Sequence, residues 1–537
     1  MRLNTRLLVA VTCGSALCQE TFEPTDFNIT DALLGYGVDV AALPQLASLV
    51  ERSSLAGCSI ACGSLGLLFG SQLISRNTSA YDQFTTSYWS QQQQEPDPYC
   101  IFKPAKREQV SIQVLISRLT QCPFAIKSGG HAAFAGASSI EGGITVSLEN
   151  FNEITLATDK QSAIIGPGNR WLNVYSTLQE SDVVVIGGRV ANIGVGGLTL
   201  GGGISFFSNI YGWACDNVLN YELVTASGII LDVNERSHPD LYWALRGGGN
   251  NFGIVTSFNM KAIPLPDGLM WGGSRTSLQD NTSTTFPALI NAFVNLGTEG
   301  AFSDPNAAQI LSFTSYQGMN LSSAALQYAK PVANPPIFDE YRAIPAIVDT
   351  TSIRTLANLT NEFAASNPDG VRETYWAASY KLTVEMTQYV TDVFYEELPT
   401  VADAAGIVPA ATLQVITVPQ IEEMQKRGGN PLGLTPEEGP LLLLNMNVQW
   451  NDVADDQRIL DFNRRVIERT VAHSKEIGAY DEYLYMNYAS QFQDVIGSYG
   501  AENKARLVGI AEKYDTTGVF QDLVPGGFKL DGAPASS

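Results

Sequence analysis

The stretch GGRVANIGVGGLTLGGG, residues 187 to 203, holds eight glycines among seventeen residues. Two further glycine-rich runs, IKSGGHAAFAGAS (126 to 138) and LRGGGNNFGIV (245 to 255), flank it. Glycine at this density exposes backbone N–H groups and lets the chain approach a ligand closely, as a pyrophosphate requires. One such run alone reads as tight turns or bulges. Three in one unit favour a long, dinucleotide-like ligand lying across several loops. His131 sharpens the point. It is one of only three histidines in 537 residues, and its neighbours are too small to pack around it.

Familiar alternatives fail on inspection. No complete G-x-G-x-x-G occurs, so a Rossmann site lacks its fingerprint, and no Walker lysine motif is present. Neither H-E-x-x-H nor a G-x-S-x-G elbow occurs, and three histidines leave little room for a metal site. The formal charge of −22, from 54 acidic and 32 basic side chains, disfavours nucleic acid and anionic membranes as partners.

The first residues, MRLNTRLLVAVTCGSALCQE, carry two arginines, an apolar run and then small residues, the pattern of a secretory signal over 1–18. Asn-x-Ser/Thr sequons at Asn28, Asn77, Asn281, Asn320 and Asn358 fit that compartment. Cys58, Cys62, Cys100 and Cys122 then predict two disulfides, in any of three connectivities. Cys215 stands apart and reads as a small buried hydrophobe.

Residues 19–84 form a mainly helical segment, and 88–100 (YWSQQQQEPDPYC) a polar loop. Ile112 to Leu119 has helical spacing. FAIK and DVVV read as strands, WLNVYSTLQE as a helix. Glycine thins out after about Lys261, and longer helices alternate with strands. In LLLLNMNVQW (441–450), Asn445, Asn447 and Gln449 share one face and Met446, Val448 and Trp450 the other. The amide face meets either a substrate or solvent. Asp216 and Asn217 brace a turn, His238 opens a helix, and His473 is a surface side chain.

The ordered set SGGH, GGITVSLENFNEI, GVGGLTLGGG, YGWACDNV, LVTASG and GGGNNFGIV resembles a known family. It is that of the FAD-linked oxidoreductases of the berberine bridge enzyme type, within the vanillyl-alcohol-oxidase (PCMH-fold) superfamily. YMNY with YGAENKARLVGIAEKYDTTGVF resembles the family's C-terminal segment, so the likeness covers roughly 85–262 and 480–521. It implies an α+β fold: a two-subdomain FAD-binding domain (85–262) and a substrate domain with an antiparallel sheet over the flavin (263–479). A tail (480–537) would complete the flavin site.

By the same resemblance, His131 bonds covalently to the flavin 8α-methyl carbon. Lys127, Ser128, Gly129, Gly130, Gly194, Gly196, Gly197, Gly201, Gly202, Gly253, Ile254, Val255, Tyr485 and Asn487 would contact the cofactor. Val190 stands where some members carry a second, cysteinyl link, so a single link is implied. Ile193 occupies a position that influences oxygen access, without deciding between oxidase and dehydrogenase. Tyr488, the second tyrosine of Y-x-N-Y, is the implied base. The implied reaction is hydride transfer from a small organic substrate (a secondary-metabolite alcohol, amine or phenol) to FAD, with oxygen as acceptor. A sugar oxidase and a secreted flavin-binding protein with little turnover are the alternatives.

Overall fold

The computed structural model describes residues 21–47, 57–279 and 284–535. The signal segment with Cys13 and Cys18, and the Asn281 sequon, lie outside the described residues.

The N-terminal part is built on a four-stranded sheet. Strand Cys100–Phe102 and strand Phe124–Lys127 run parallel to Ile144–Ser147 between them, and Leu73–Ser75 adds antiparallel at the edge. Helix Arg107–Thr120 is the parallel crossover. Val110, Val114 and Leu115 are fully buried, and Gln121 ends the helix in the left-handed region before Pro123. Helix Gly57–Phe69 packs on this helix so closely that a β-carbon at Gly57 would lie 2.4 Å from the Thr120 carbonyl oxygen. Disulfides Cys58–Cys122 and Cys62–Cys100 fasten the helix there, choosing one of the three connectivities open from sequence.

A six-stranded antiparallel sheet follows. Its central strand, Ile254–Pro264, pairs with Ser162–Ile165, Val183–Val185 and Val218–Val224. The third sheet has nine strands, all antiparallel. In its strand Leu441–Trp450, alternation decides everything. Leu442, Leu444, Met446, Val448 and Trp450 enter a core closed by helices Thr285–Asn295, Val384–Glu397 and Asp456–Glu476. The other face turns inward.

Three local expectations are corrected. Residues 88–100 are not a plain loop: Gln91–Gln94 form one helical turn, capped by Ser90 and anchored by buried Gln93. The glycine run 187–203 contains a short helix, Val195–Leu200, because Val195 and Thr199 pack inward and hold it despite the flanking glycines. His238 precedes helix Pro239–Leu245 as its N-cap residue, and Asp216 and Asn217 bind the Tyr211–Trp213 turn. His473 is not simply on the surface, since its ring stacks on Tyr389 at 3.7 Å. No helix among the described residues is long and apolar enough to cross a membrane, and none of their acidic, histidine or cysteine side chains cluster as metal ligands.

Candidate active site

The inward face of the nine-stranded sheet, the glycine loops and the C-terminal tail enclose one cavity of about 670 Å³. That volume suits an extended organic ligand. Two of the glycine loops close on it because their backbones touch. A β-carbon at Gly129 would lie 2.5 Å from the Gly194 nitrogen, and one at Gly194 would lie 2.4 Å from the Gly129 nitrogen. No side chain larger than hydrogen fits between them. Ser128 fastens the same junction: its Oγ donates to the Pro167 carbonyl (2.5 Å) and accepts from the Gly196 N–H (3.1 Å). Gly197 differs, because a β-carbon there would meet nothing within 4 Å.

His131 lines the cavity and stacks flat on Trp89, ring centroids 4.1 Å apart. Burial pushes its imidazole down to about 4, so the ring is neutral at ordinary pH. Its Nε2 has no hydrogen-bond partner. A string of aromatic contacts leads away from it: Trp89 to Tyr375 (5.5 Å), Tyr375 to Tyr488 (6.1 Å) and Tyr488 to Tyr485 (4.8 Å).

The Tyr488 hydroxyl is held by two side chains in the cavity. The Arg189 guanidinium donates to its oxygen at 2.6 Å and to Gln414 Oε1 at 2.6 Å, and Gln414 Nε2 donates to the tyrosine oxygen at 3.0 Å. A guanidinium contact to that oxygen strengthens whenever the oxygen gains negative charge. Tyr485 plays another part. Fully buried, it accepts from the Gly203 and Ile204 N–H groups (3.2 and 3.1 Å) and from Asn487 (3.0 Å). Burial pushes its hydroxyl well above the ordinary tyrosine range.

Of the residues singled out in sequence, Ser128, Gly129, Gly130, His131, Gly194, Gly196, Gly197, Gly253, Ile254, Val255, Tyr485, Asn487 and Tyr488 all line this cavity. Val190, Ile193, Asn445 and Asn447 do too, whereas Gln449 does not. Lys127, Gly201 and Gly202 stand behind the lining. The Lys127 ammonium is buried over the rings of Phe84 and Tyr88 (4.6 Å each) and donates to Ser87, and burial lowers it to about 8. Gly201 makes room for Asn487 and Gly202 for Trp213. Cys215 is a free thiol within the core, away from the cavity.

Sequence reasoning missed Arg189, Gln414, Trp89 and Tyr375. Arg189 offered a signal: it is the one charged side chain within the run 187–203. Gln414 offered another, since Thr412 and Gln414 repeat the period-two polar pattern of Asn445 and Asn447. Trp89 and Tyr375 gave none, because their role arises only when the two meet.

The glycine cradle, the neutral buried histidine with an orphaned nitrogen, and the volume of the cavity suit a flavin dinucleotide. Residues 98–234 match the FAD binding domain family. The FAD-dependent monooxygenase FUP4 of Fusarium proliferatum is 36% identical over 91% of this chain and 98% of its own. Among solved structures, 6-hydroxy-D-nicotine oxidase from Arthrobacter nicotinovorans superposes with a TM-score of 0.70 at 18% identity, over 86% of this chain and 97% of its own. A single-residue variant of berberine bridge enzyme, a reticuline dehydrogenase, gives 0.69 at 18%, over 86% and 97%. These likenesses define the class: an FAD-binding oxidoreductase. The chain belongs to the family of FAD-dependent oxidoreductases that includes the Fusarium relative, and it shares the PCMH-type fold of berberine bridge enzyme.

Proposed function

We propose that this protein oxidises a small organic molecule by removing a hydride and a proton from it. Residues 85–262 and the tail from 480 would hold FAD, covalently through His131 alone, and residues 263–479 the substrate. Bound there, FAD supplies the two-electron acceptor for the hydride, and oxygen takes those electrons onward to give hydrogen peroxide. Tyr488 Oη takes the substrate proton. Arg189 and Gln414 both donate to that oxygen and fix it in place. Tyr375, packed against Trp89 and edge-on to Tyr488, walls the reacting group from water.

The observation that carries this reading is the Tyr488 hydroxyl, gripped by a guanidinium and an amide in the cavity that His131 also lines. Tyr488→Phe removes one hydroxyl. Anaerobic flavin reduction by substrate should slow by ~10²- to 10⁴-fold, with flavin content unchanged. Reduction at the wild-type rate would transfer the base's role elsewhere. The name of the 36%-identical relative carries a second reading, oxygen insertion. Under ¹⁸O₂ the oxidase yields labelled peroxide and unlabelled product, while insertion labels the product and consumes an external reductant.

Secretion is part of the proposal. It rests on the signal-like N-terminus, the two disulfides, and the exposed sequon asparagines Asn28, Asn77 and Asn358.

A further inference from the structure

Buried polar atoms without a partner are costly in a folded protein, so one that lines a cavity marks a place where a ligand can supply the missing hydrogen bond. Among cavity-lining residues only two such side-chain atoms are present in the described structure: His131 Nε2 and Asn445 Oδ1. The first lies on the cofactor loop. The second lies on the sheet, in a residue only 5% exposed.

Asn445 sits at the point where its strand changes character. Leu441 and Leu443 precede it on the same face and are fully buried, and Asn447 follows. Its cross-strand partners are Thr412 on one side and Ala377 on the other. Around it runs a ladder of neutral oxygens: Ser312 Oγ shares a hydrogen bond with Thr412 Oγ1 (3.0 Å), which donates to Asn447 Oδ1 (2.8 Å). Gln414, two residues beyond Thr412 on the same face, reaches Tyr488. Asn445 is the member of this group whose oxygen is left over.

Charge tells the rest. Among the described residues only Arg189 and Glu362 are charged side chains lining the cavity, apart from His131, which is neutral. The Glu362 carboxylate is paired with Arg354 and accepts from Thr350. Arg189 is engaged by Tyr488 and Gln414. Glu373, two residues from Tyr375 on the same strand face, does not line the cavity, and burial pushes its carboxyl well up toward the neutral acid. A substrate ammonium would therefore lose its hydration, face the Arg189 cation, and find no free carboxylate.

We propose that the sheet side of the cavity takes an uncharged, hydroxyl-bearing organic molecule, and that Asn445 Oδ1 accepts a hydrogen bond from one of its hydroxyls. This narrows the substrate class of the oxidoreductase reading, on which it rests, to neutral alcohols and phenols rather than amines.

Three probes on one ring system test it: 2-naphthalenemethanol, 2-naphthylmethylamine and 2-naphthoate. Each is titrated calorimetrically into dithionite-reduced holoenzyme under argon, so that binding is read without turnover. The alcohol should bind about tenfold or more tighter than the ammonium and the carboxylate. Asn445→Leu should weaken the alcohol by about tenfold, by leaving its hydroxyl unpaired. Asn445→Asp should reverse the order by giving the ammonium a partner, and this arm stays informative if the leucine variant does not fold. Equal binding of all three probes, no binding of any, tightest binding of the carboxylate, or an unchanged order in Asn445→Asp would overturn the inference. Oxidised holoenzyme then separates the two readings. An alcohol that binds in the expected order yet never bleaches the flavin sinks the oxidoreductase reading and leaves this one standing.

Discussion

His131 owes its chemistry to burial. Desolvation keeps its imidazole neutral, stacking on Trp89 fixes the ring plane, and the surrounding glycines leave Nε2 without a partner. A neutral, oriented imidazole is the form that can act as a nucleophile. Single attachment through this ring therefore predicts that acid-denatured protein keeps its yellow colour, and that one tryptic peptide, containing His131, carries the flavin mass. His131→Ala should release the flavin on acid treatment, while the glycine cradle still binds it before denaturation. A flavin-bearing peptide containing Cys215, or complete release from wild-type protein, would refute single attachment. Intact mass of the same preparation, before and after glycosidase, reads glycan at the exposed sequons and tests secretion alongside.

At the scale of elements, the one-turn helix Gln91–Gln94 joins the loop that follows His131 to the sheet. Gln91 donates to the Gly370 carbonyl and Gln92 to that of Glu373, each at 2.9 Å. Gln93, fully buried, accepts from Ser139 Oγ (2.7 Å) and from the Ser138 N–H (3.3 Å), in the segment that follows His131. Gln93→Ala leaves those donors buried and unpaired, a cost of about 1–3 kcal/mol. The loss should appear locally, as faster amide exchange in peptides spanning residues 132–140, and unaltered exchange there would remove Gln93 from this role. Nothing in a run of four glutamines announces such partners, since they lie about 45 residues away for Gln93 and about 280 for Gln91 and Gln92. By contrast the strands FAIK and VVV, the Ile112–Leu119 part of the helix and the two-faced alternation of 441–450 were legible, because alternation and helical spacing are local properties, whereas which face of 441–450 turns inward was not. The cavity residues divide likewise. Glycines and His131 stand out by composition, whereas Arg189 and Gln414 acquire meaning only once Tyr488, from the tail, meets them.

For the molecule as a whole, that tail is what closes the site. Asn250 Nδ2 donates to the Gly526 carbonyl (3.0 Å) and Asn251 Nδ2 to that of Phe528 (2.9 Å), which sets Gly527 and Phe528 against the cavity. Lys529 locks this return. Its Nζ donates to Asn250 Oδ1 (3.1 Å) and to the Phe520 carbonyl (2.9 Å), and the side chain is only 6% exposed. Burial pushes its ammonium down to about 7, against the opposing pull of Asp531 and Asp515. In the unfolded chain a lysine titrates near ~10.4. Between those two values the unfolded state holds the proton and the folded state has lost it, so stability rises with pH across that window. Below it both states are protonated, and the buried ammonium bears its full desolvation cost. Lys529→Met removes the titration. Its melting temperature relative to wild type should therefore be most favourable near pH 6 and fall steadily toward about pH 9.5. The excess of acidic surface charge is common to both proteins and cancels in the difference. A difference that stays flat across that range would mean that Lys529 keeps its proton in the folded state, held by the two aspartates rather than released by burial.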